Sequence, residues 1–303
     1  MKSPKVSVII PTYNRRKNLM ECIDSVLKND MKDIEVIVVN DCPKDDLSDL
    51  RRRYPKIRLI QNMKEIYLAD CRNEGAKAAR GEFLYFVDDD NILRRDTISA
   101  LLDGFDSDRR IGLLGPLMYN AKGDLWFSGF KVDLSRTNIP KRLSPGQGNA
   151  LIETDFVPNS CMVRKAVYMS VGGSNGKAYV FQHEDLDLAL RLRRKGYRHY
   201  VYTGSSLVHN YEASGNLSGR VTPRRLLFAL RGNVVLEYEY APLPKLLSYF
   251  CLFMPVHFLY YMFVFIPRSP YSKIAMYKAY FSGLMTGFHD RKLVKRDPID
   301  LSD

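Results

Sequence analysis

The chain has 303 residues, 46% of them hydrophobic and 26% charged, which suits one large domain or two small ones with a sizeable core. That balance excludes a disordered or collagen-like chain. Lys and Arg outnumber Asp and Glu by 46 to 34, and the resulting net charge of +12 favours anionic partners: nucleic acid, phosphorylated ligands or an acidic membrane face.

The amino-terminal third alternates strand and helix signals. Val6 to Ile10 is a β-rich run stopped by Pro11, and Lys17 to Leu27 carries Leu19, Ile23, Val26 and Leu27 at helical spacing. Ile34 to Val39 and Ile57 to Ile60 are further β-branched runs. Cys71 to Ala79 is predicted as a helix ended by Gly81, and Phe83 to Val87 as a buried strand. Near-continuous apolar strands between helices predict an α/β unit whose parallel sheet is covered on both faces. The run Val6 to Ile10 is too short for a secretory h-region. The scattered Cys22, Cys42, Cys71, Cys161 and Cys251 form no C-x-x-C pair, so a disulfide framework and a structural zinc site are not expected. The amino-terminal part is therefore expected in a reducing cytosol.

Beyond Ile111 the pattern changes. Ile111 to Met118 and Leu125 to Val132 suggest strands around the turn-like Asn120–Gly123. Ser135 to Asn149 is polar, rich in Pro and Gly, and is either a solvated linker or an active-site lid. Glu184 to Lys195 predicts an amphipathic helix stopped by Gly196, and Ser205 to Val208 a short strand. Leu246 to Ile266 is 21 residues without Asp, Glu, Lys or Arg, about 30 Å as one helix and enough to cross a bilayer. Pro255 is expected to break it, and Tyr249, Tyr260 and Tyr261 could sit at an interface. Ile274, Tyr277, Phe281, Leu284, Met285 and Phe288 then form one helical stripe. A buried helix or oligomer contact is one reading of this region; membrane attachment through residues 244–288 is the other. Both flanks are basic, which fits a re-entrant or in-plane arrangement on the cytosolic side better than a simple span.

The chemical signal is concentrated in Asp88-Asp89-Asp90, directly after the Phe83 to Val87 strand. Three adjacent carboxylates repel one another unless a cation is present, and oxygen ligands suit Mg²⁺ or Mn²⁺. A solvated acidic turn or a helix cap before Ile98 is the plainer alternative. Pro11, Thr12, Tyr13 and Asn14 end the first strand and Asp41 follows the second, so all fall at the ligand-gathering edge of an open α/β sheet. Asp41 is either a turn residue or an acceptor for a nucleobase or ribose; Arg72 is either a surface charge or a phosphate or base contact. Glu184 and Asp185 start a helix, where negative charge is favoured, and could cap it or supply a base. His209 follows a strand as a structural residue or a ligand, and an imidazole among carboxylates tilts a site towards Mn²⁺. His183 is a candidate acceptor contact. Tyr13, Tyr179 and Phe181 offer stacking surface or core packing.

This set of residues resembles glycosyltransferase family 2, whose members have the GT-A fold. The matching segments are Val6–Asn14, Val38-Val39-Asn40-Asp41, Arg72–Gly75 followed by Ala79–Glu82, and Phe86–Asp90, continued by Asn159–Lys165 and His183–Arg191. The similarity runs from about Lys5 to Ser218 and is nearest the rhamnosyl- and galactofuranosyl-transferase branch. It implies a Rossmann-like mixed sheet flanked by helices over residues 1–220, followed by a helical membrane-associating region over 221–303. It further implies that Asp41 contacts the nucleobase and that Pro11, Thr12, Tyr13 and Asn14 line the nucleotide pocket. Asp88, Asp89 and Asp90 would serve the divalent cation and the diphosphate, with His209 completing the metal site and Asp185 as general base. Asn40-Asp41-Cys42-Pro43 departs from the family's usual acidic and small residues at this point. The expected activity is an inverting, metal-dependent transfer from a nucleotide-sugar donor to a glycan or lipid-linked acceptor at the cytoplasmic face of a membrane. A nucleotidyltransferase would need a Gly-rich basic loop where Pro11–Asn14 stands, and a nucleic-acid-binding protein a zinc finger, helix-turn-helix or aromatic–basic motif. Neither is present in the sequence.

Overall fold

A computed structural model describes residues 3–134, 141–145, 148–158, 160–180, 182–210, 221–299 and 301. Four strands alternating with three helices open the chain: β1 (Val6–Thr12), α1 (Arg16–Leu27), β2 (Ile34–Asn40), α2 (Leu50–Arg53), β3 (Ile57–Gln61), α3 (Tyr67–Ala78) and β4 (Phe83–Val87). A middle section follows, with β5 (Asn91–Leu93), α4 (Thr97–Phe105), β6 (Ile111–Asn120), β7 (Leu125–Phe127), β8 (Phe130–Lys131), β9 (Lys141–Arg142), β10 (Leu151–Thr154), β11 (Ser160–Arg164), α5 (Lys165–Ser170), α6 (Glu184–Arg194) and β12 (Arg198–His209). Most of the Ser135 to Asn149 segment, Asn159 and Phe181 lie outside the described residues.

The main sheet runs β10-β12-β6-β11-β4-β1-β2-β3, with β5 and β7 added at its rim. β1, β2, β3 and β4 are mutually parallel, as their unbroken apolar pattern predicts, and every residue of β1 and β4 is buried. β11 runs antiparallel to both β4 and β6, which returns β6 and its parallel neighbour β12 to the direction of β1. The carboxyl ends of β1, β2, β4, β6 and β12 therefore share one edge. His209 reaches that edge because β12 is one 12-residue strand rather than the isolated Ser205 to Val208 run expected from sequence. An irregularity between Tyr202 and Ser206 concealed its continuity, since it interrupts the alternation of the side chains.

The carboxyl-terminal region consists of α7 (Pro223–Tyr240), α8 (Leu243–Arg268) and α9 (Lys273–Asp290). α7 ties it to the sheet domain. Val235, Leu236 and Tyr240 share a core with Tyr179, Leu186 and Leu190, and the Tyr240 hydroxyl donates to Asp187 at 2.7 Å. α9 packs closely on α7 because Gly283 and Gly287 carry no side chain there. A Cβ at Gly283 would lie 2.7 Å from the Leu227 carbonyl oxygen, and one at Gly287 would lie 3.0 Å from that of Arg231.

Two expectations for this region are corrected. Pro255 does not break α8, which runs unbroken through it. The wide turn Tyr249–Phe253 just before it shifts the hydrogen-bond register, so that the missing Pro N–H falls where the ladder is already displaced. Tyr249 is buried against the protein, not held at an interface; Tyr260 is the exposed one.

Glu237 of α7 is fully buried, and neither carboxylate oxygen has a hydrogen-bond partner among the described residues. Burial pushes its pKa up to about 9, with Asp133 reinforcing the shift and Lys245 opposing it; Tyr249 packs beside it. The folded state thus holds a proton that the unfolded chain releases near 4.5, so stability falls as pH rises between these values. Glu237→Gln is expected to flatten that slope, by up to about 1.4 kcal/mol per pH unit, in denaturant titrations at pH 6, 7 and 8. An unchanged slope would show that the carboxyl is not the responsible group.

Candidate active site

A cleft of about 980 Å³ opens beyond the shared strand edge. Pro11, Thr12 and Tyr13 enter it from the end of β1, Asp41 from β2, Asp88, Asp89 and Asp90 from β4, His209 from β12, and Asp185 from the first turn of α6. Segments nearly two hundred residues apart in the sequence converge here because the sheet brings their strand ends together.

Arg72 organises the floor. It lies on α3, is 3% exposed, and sits beneath the cleft rather than in its lining. Its guanidinium donates to the carboxylate of Asp185, lies 3.2 Å from Asp88 Oδ1 and 3.7 Å from Glu184 Oε1. One planar cation thus fixes the carboxylate after β4 against the one that starts α6. Its burial sets aside the surface-charge alternative.

The second arginine, Arg15, follows β1. It donates to Asp89 Oδ1 and Asp90 Oδ2, each at 2.6 Å, and Thr12 donates to Asp89 Oδ2 at 2.7 Å. Even so, burial pushes the carboxyls of Asp88 and Asp89 up to about 7; Arg72 and Arg15 oppose the shift and neighbouring carboxylates add to it. Asp90 Oδ1 is buried without a hydrogen-bond partner, and His209 Nδ1 lies 3.6 Å from it and 3.0 Å from Asn91 Oδ1. Burial lowers the pKa of His209, favouring the neutral, ligating imidazole, and the Trp126 ring lies 4.6 Å from its own. Among the described residues no three His, Cys, Asp or Glu side chains close into a ready-made metal cage. The donor set nevertheless fits a hard divalent cation: clustered carboxylates short of positive charge, one orphaned oxygen and a neutral imidazole on the same lip.

Other expected residues take different places. Asp41 lines the cleft, but its carboxylate accepts from the backbone N–H groups of Ile66 and Tyr67, each at 2.8 Å, and from Asn62 at 3.0 Å. It thereby holds Tyr67, which has a left-handed backbone (φ 69°), on the cleft wall. Asn14, also left-handed at φ 51°, is exposed and outside the lining. Of the two alternatives for Tyr179 the structure shows core packing: it is fully buried, with its hydroxyl donating to Glu239 at 2.7 Å. His183 lines the cleft but packs on Gly232 of α7, and burial pushes its pKa down to about 4. Glu184 is buried, and burial and Asp185 push its pKa up to about 8. Glu65, Tyr67, Trp126, Arg224 and Arg225 line the cleft without having been singled out from sequence. Arg15 gave the best available signal, directly after Pro11–Asn14, and the Arg224-Arg225 pair just inside a predictable helix start gave another.

The model of glycosyl transferase family 2 matches residues 7–172, more than half of the chain. An uncharacterized glycosyltransferase of Bacillus subtilis, EpsJ, is 34% identical over 144 residues, 46% of this chain and 38% of its own length. The GalNAc(5)-diNAcBac-PP-undecaprenol beta-1,3-glucosyltransferase of Campylobacter jejuni is 38% identical over 105 residues, 33% of this chain and 34% of its own. The chain thus spans little more than a third of the length of these two relatives. In structure it is similar to GalNAc-T7, crystallised with UDP, GalNAc and Mn²⁺, with a TM-score of 0.63 at 18% identity over 78% of this chain and 48% of the other. The family match, the mixed sheet and the cleft at its carboxyl edge agree: the chain belongs to glycosyl transferase family 2 and has the GT-A fold.

Proposed function

We propose that the protein transfers a sugar, with inversion, from a nucleotide-sugar donor to a hydroxyl of a lipid-linked saccharide at the cytosolic face of a membrane. The observation that carries this reading is the Arg72 bridge, which sets the Asp88 end of the acidic triplet and Asp185 on one wall of one cleft. Asp185 takes the proton from the acceptor hydroxyl as that oxygen attacks the anomeric carbon from the face opposite the diphosphate. Asp88, Asp90 and His209 would hold a divalent cation, Mn²⁺ or Mg²⁺, which when bound supplies Lewis-acid charge to the departing diphosphate. Thr12 and Arg15 position Asp89 within the triplet. Pro11, Tyr13 and Tyr67 shape the wall offered to the nucleotide. The Mn²⁺ and UDP bound by the neighbour GalNAc-T7 support the cation and donor classes.

α8 and α9 support a lipid-borne acceptor. α8 is a helix long and apolar enough to cross a membrane. Its outer stripe of Leu252, Val256, Leu259 and Phe263 is bare, with Val256 65% and Phe263 72% exposed. The opposite side rests on α9 through Phe250–Phe288, Phe258–Tyr280 and Tyr261–Tyr280 contacts. An apolar face on one side and protein on the other suits a helix lying in the interface. Residues 1–220 would then form the catalytic domain and 221–303 the membrane-associating region, whose net charge of +5 faces anionic headgroups. The undecaprenol-linked substrate in the name of the Campylobacter relative supports a lipid-linked acceptor.

The direct test is a thermal-shift screen of sugar nucleotides with Mn²⁺, followed by transfer to lipid-linked saccharides with and without EDTA. A selective donor, EDTA-sensitive transfer and a product of opposite anomeric configuration are expected; retention of configuration would remove Asp185 from the role of base. For the membrane contact, the double variant Val256→Glu, Phe263→Glu is expected to lose at least about tenfold in vesicle affinity while binding nucleotide as before. Undiminished vesicle binding would place the contact elsewhere.

A further inference from the structure

The chain's single tryptophan, Trp126, lines the cleft. It stands on β7, the short strand that turns back on β6 after Asn120–Gly123. The pairing there is irregular: Phe127 faces Met118 and Leu125 faces Tyr119, so Trp126 has no residue opposite it. A bulge of this kind re-aims a side chain. Phe127 is fully buried, its ring 5.0 Å from that of Phe130, whereas Trp126 is half-buried on the cleft wall. The indole and the His209 imidazole have their centroids 4.6 Å apart and are tilted by 34°. Strand order fixes which end of the cleft this is. Tyr13 and Asp41 follow β1 and β2, on one side of β4 and its acidic triplet; β6 and β7 lie on the other side, beyond β11. Trp126 therefore stands across the triplet from the wall offered to the nucleotide. Phe156 and Gln182 also line the cleft, and Phe156 packs against the core that holds Leu186, the residue after Asp185.

We propose that Trp126 is the platform on which the acceptor's sugar ring stacks, and so the residue that selects the acceptor by the face its ring presents. The inference rests on sugar transfer in the cleft and adds to it the residue that holds the receiving sugar. A sugar ring offers polarised C–H groups on its face and hydroxyls around its rim. The negative face of an indole attracts the first, and amide groups such as that of Gln182 bind the second. A nucleobase would also stack on an indole, but Tyr13 and Tyr67 already supply aromatic surface at the nucleotide end. A sugar seated on Trp126 lies beside the lip that carries His209, in the same cleft as Asp185, as a hydroxyl that is to lose its proton there requires.

With one tryptophan in the chain, indole fluorescence reports this position alone. The full chain is loaded with Mg²⁺ and the nucleoside diphosphate selected in the thermal-shift screen, then titrated with the methyl β-glycosides of glucose, galactose, N-acetylglucosamine and N-acetylgalactosamine. At least one glycoside is expected to give a saturable change in emission. In the transfer assay Trp126→Ala is expected to raise the acceptor KM about tenfold, with the donor KM and the Mn²⁺ affinity measured by electron paramagnetic resonance unchanged. Trp126→Phe, which keeps an aromatic face, is expected to recover most of the acceptor affinity. Nucleotide binding by both variants reports that they are folded. A fluorescence signal that responds to none of the glycosides would overturn the proposal. So would a loss of Mn²⁺ affinity in Trp126→Ala as large as the loss of acceptor affinity, by assigning the indole to the support of His209. A raised donor KM would overturn it by assigning the indole to the donor sugar. Failure of nucleotide binding in the wild type would instead count against the transferase reading of the cleft.

Discussion

Arg72→Ala is expected to destabilise the protein by about 3–5 kcal/mol, lowering the melting temperature by about 10 °C, and to abolish sugar transfer. The reason is the company that the guanidinium keeps: Asp185, Asp88 and Glu184 all meet it in a buried floor. Removing it leaves carboxylates facing one another with no counter-charge, and the first turn of α6 is then free to move away from the end of β4. Arg72→Lys retains the charge but not the planar fork, so it should recover part of the stability and little of the rate. Chemical denaturation beside a transfer assay checks both halves. A stable Arg72→Ala variant with normal turnover would mean that the two carboxylates hold their places without help.

Asp185→Asn is the complementary case. Asparagine keeps the shape and an oxygen that can accept from Arg72, so the fold and the nucleotide affinity should be unchanged. What disappears is the capacity to take a proton, and kcat is expected to fall about 10²- to 10⁴-fold. The two substitutions separate placement from chemistry: one disturbs stability and rate together, the other rate alone. Turnover by Asp185→Asn within a factor of about two of wild type would transfer the role of base to another residue. Glu184 is poorly suited to replace it, being buried and pushed towards its protonated form by burial and by Asp185.

The residues that could be read from sequence are those whose chemistry is local. The apolar runs of β1, β2 and β4 announce buried parallel strands, and Asp88-Asp89-Asp90 directly after such a run marks a ligand edge before any coordinates exist. Long-range pairing is harder. Nothing adjacent to Arg72 in the chain shows that its partners come from β4 and α6, because an arginine inside a helix has the same local pattern whether it points to water or inward. Asp41 posed the same problem, since the backbone amides it clamps lie some twenty-five residues away. In the carboxyl-terminal region the apolar length of α8 was plain, but its continuity through Pro255 depends on a preceding wide turn that no residue type signals. The stripe along α9 was found from its large side chains, and these proved to be partly the exposed face. The side that packs on α7 is set by Gly283 and Gly287, where the absence of side chains permits close approach.

The central claim is spatial: donor, cation and proton acceptor meet in the cleft where Arg72 joins Asp88 to Asp185. Crystallising the protein with Mn²⁺ and the nucleoside diphosphate chosen by the stability screen tests it most directly. The account predicts anomalous manganese density against the acidic triplet and His209, with the diphosphate extending towards Asp185. Nucleotide and metal bound on another face of the molecule, leaving this cleft vacant, would contradict it.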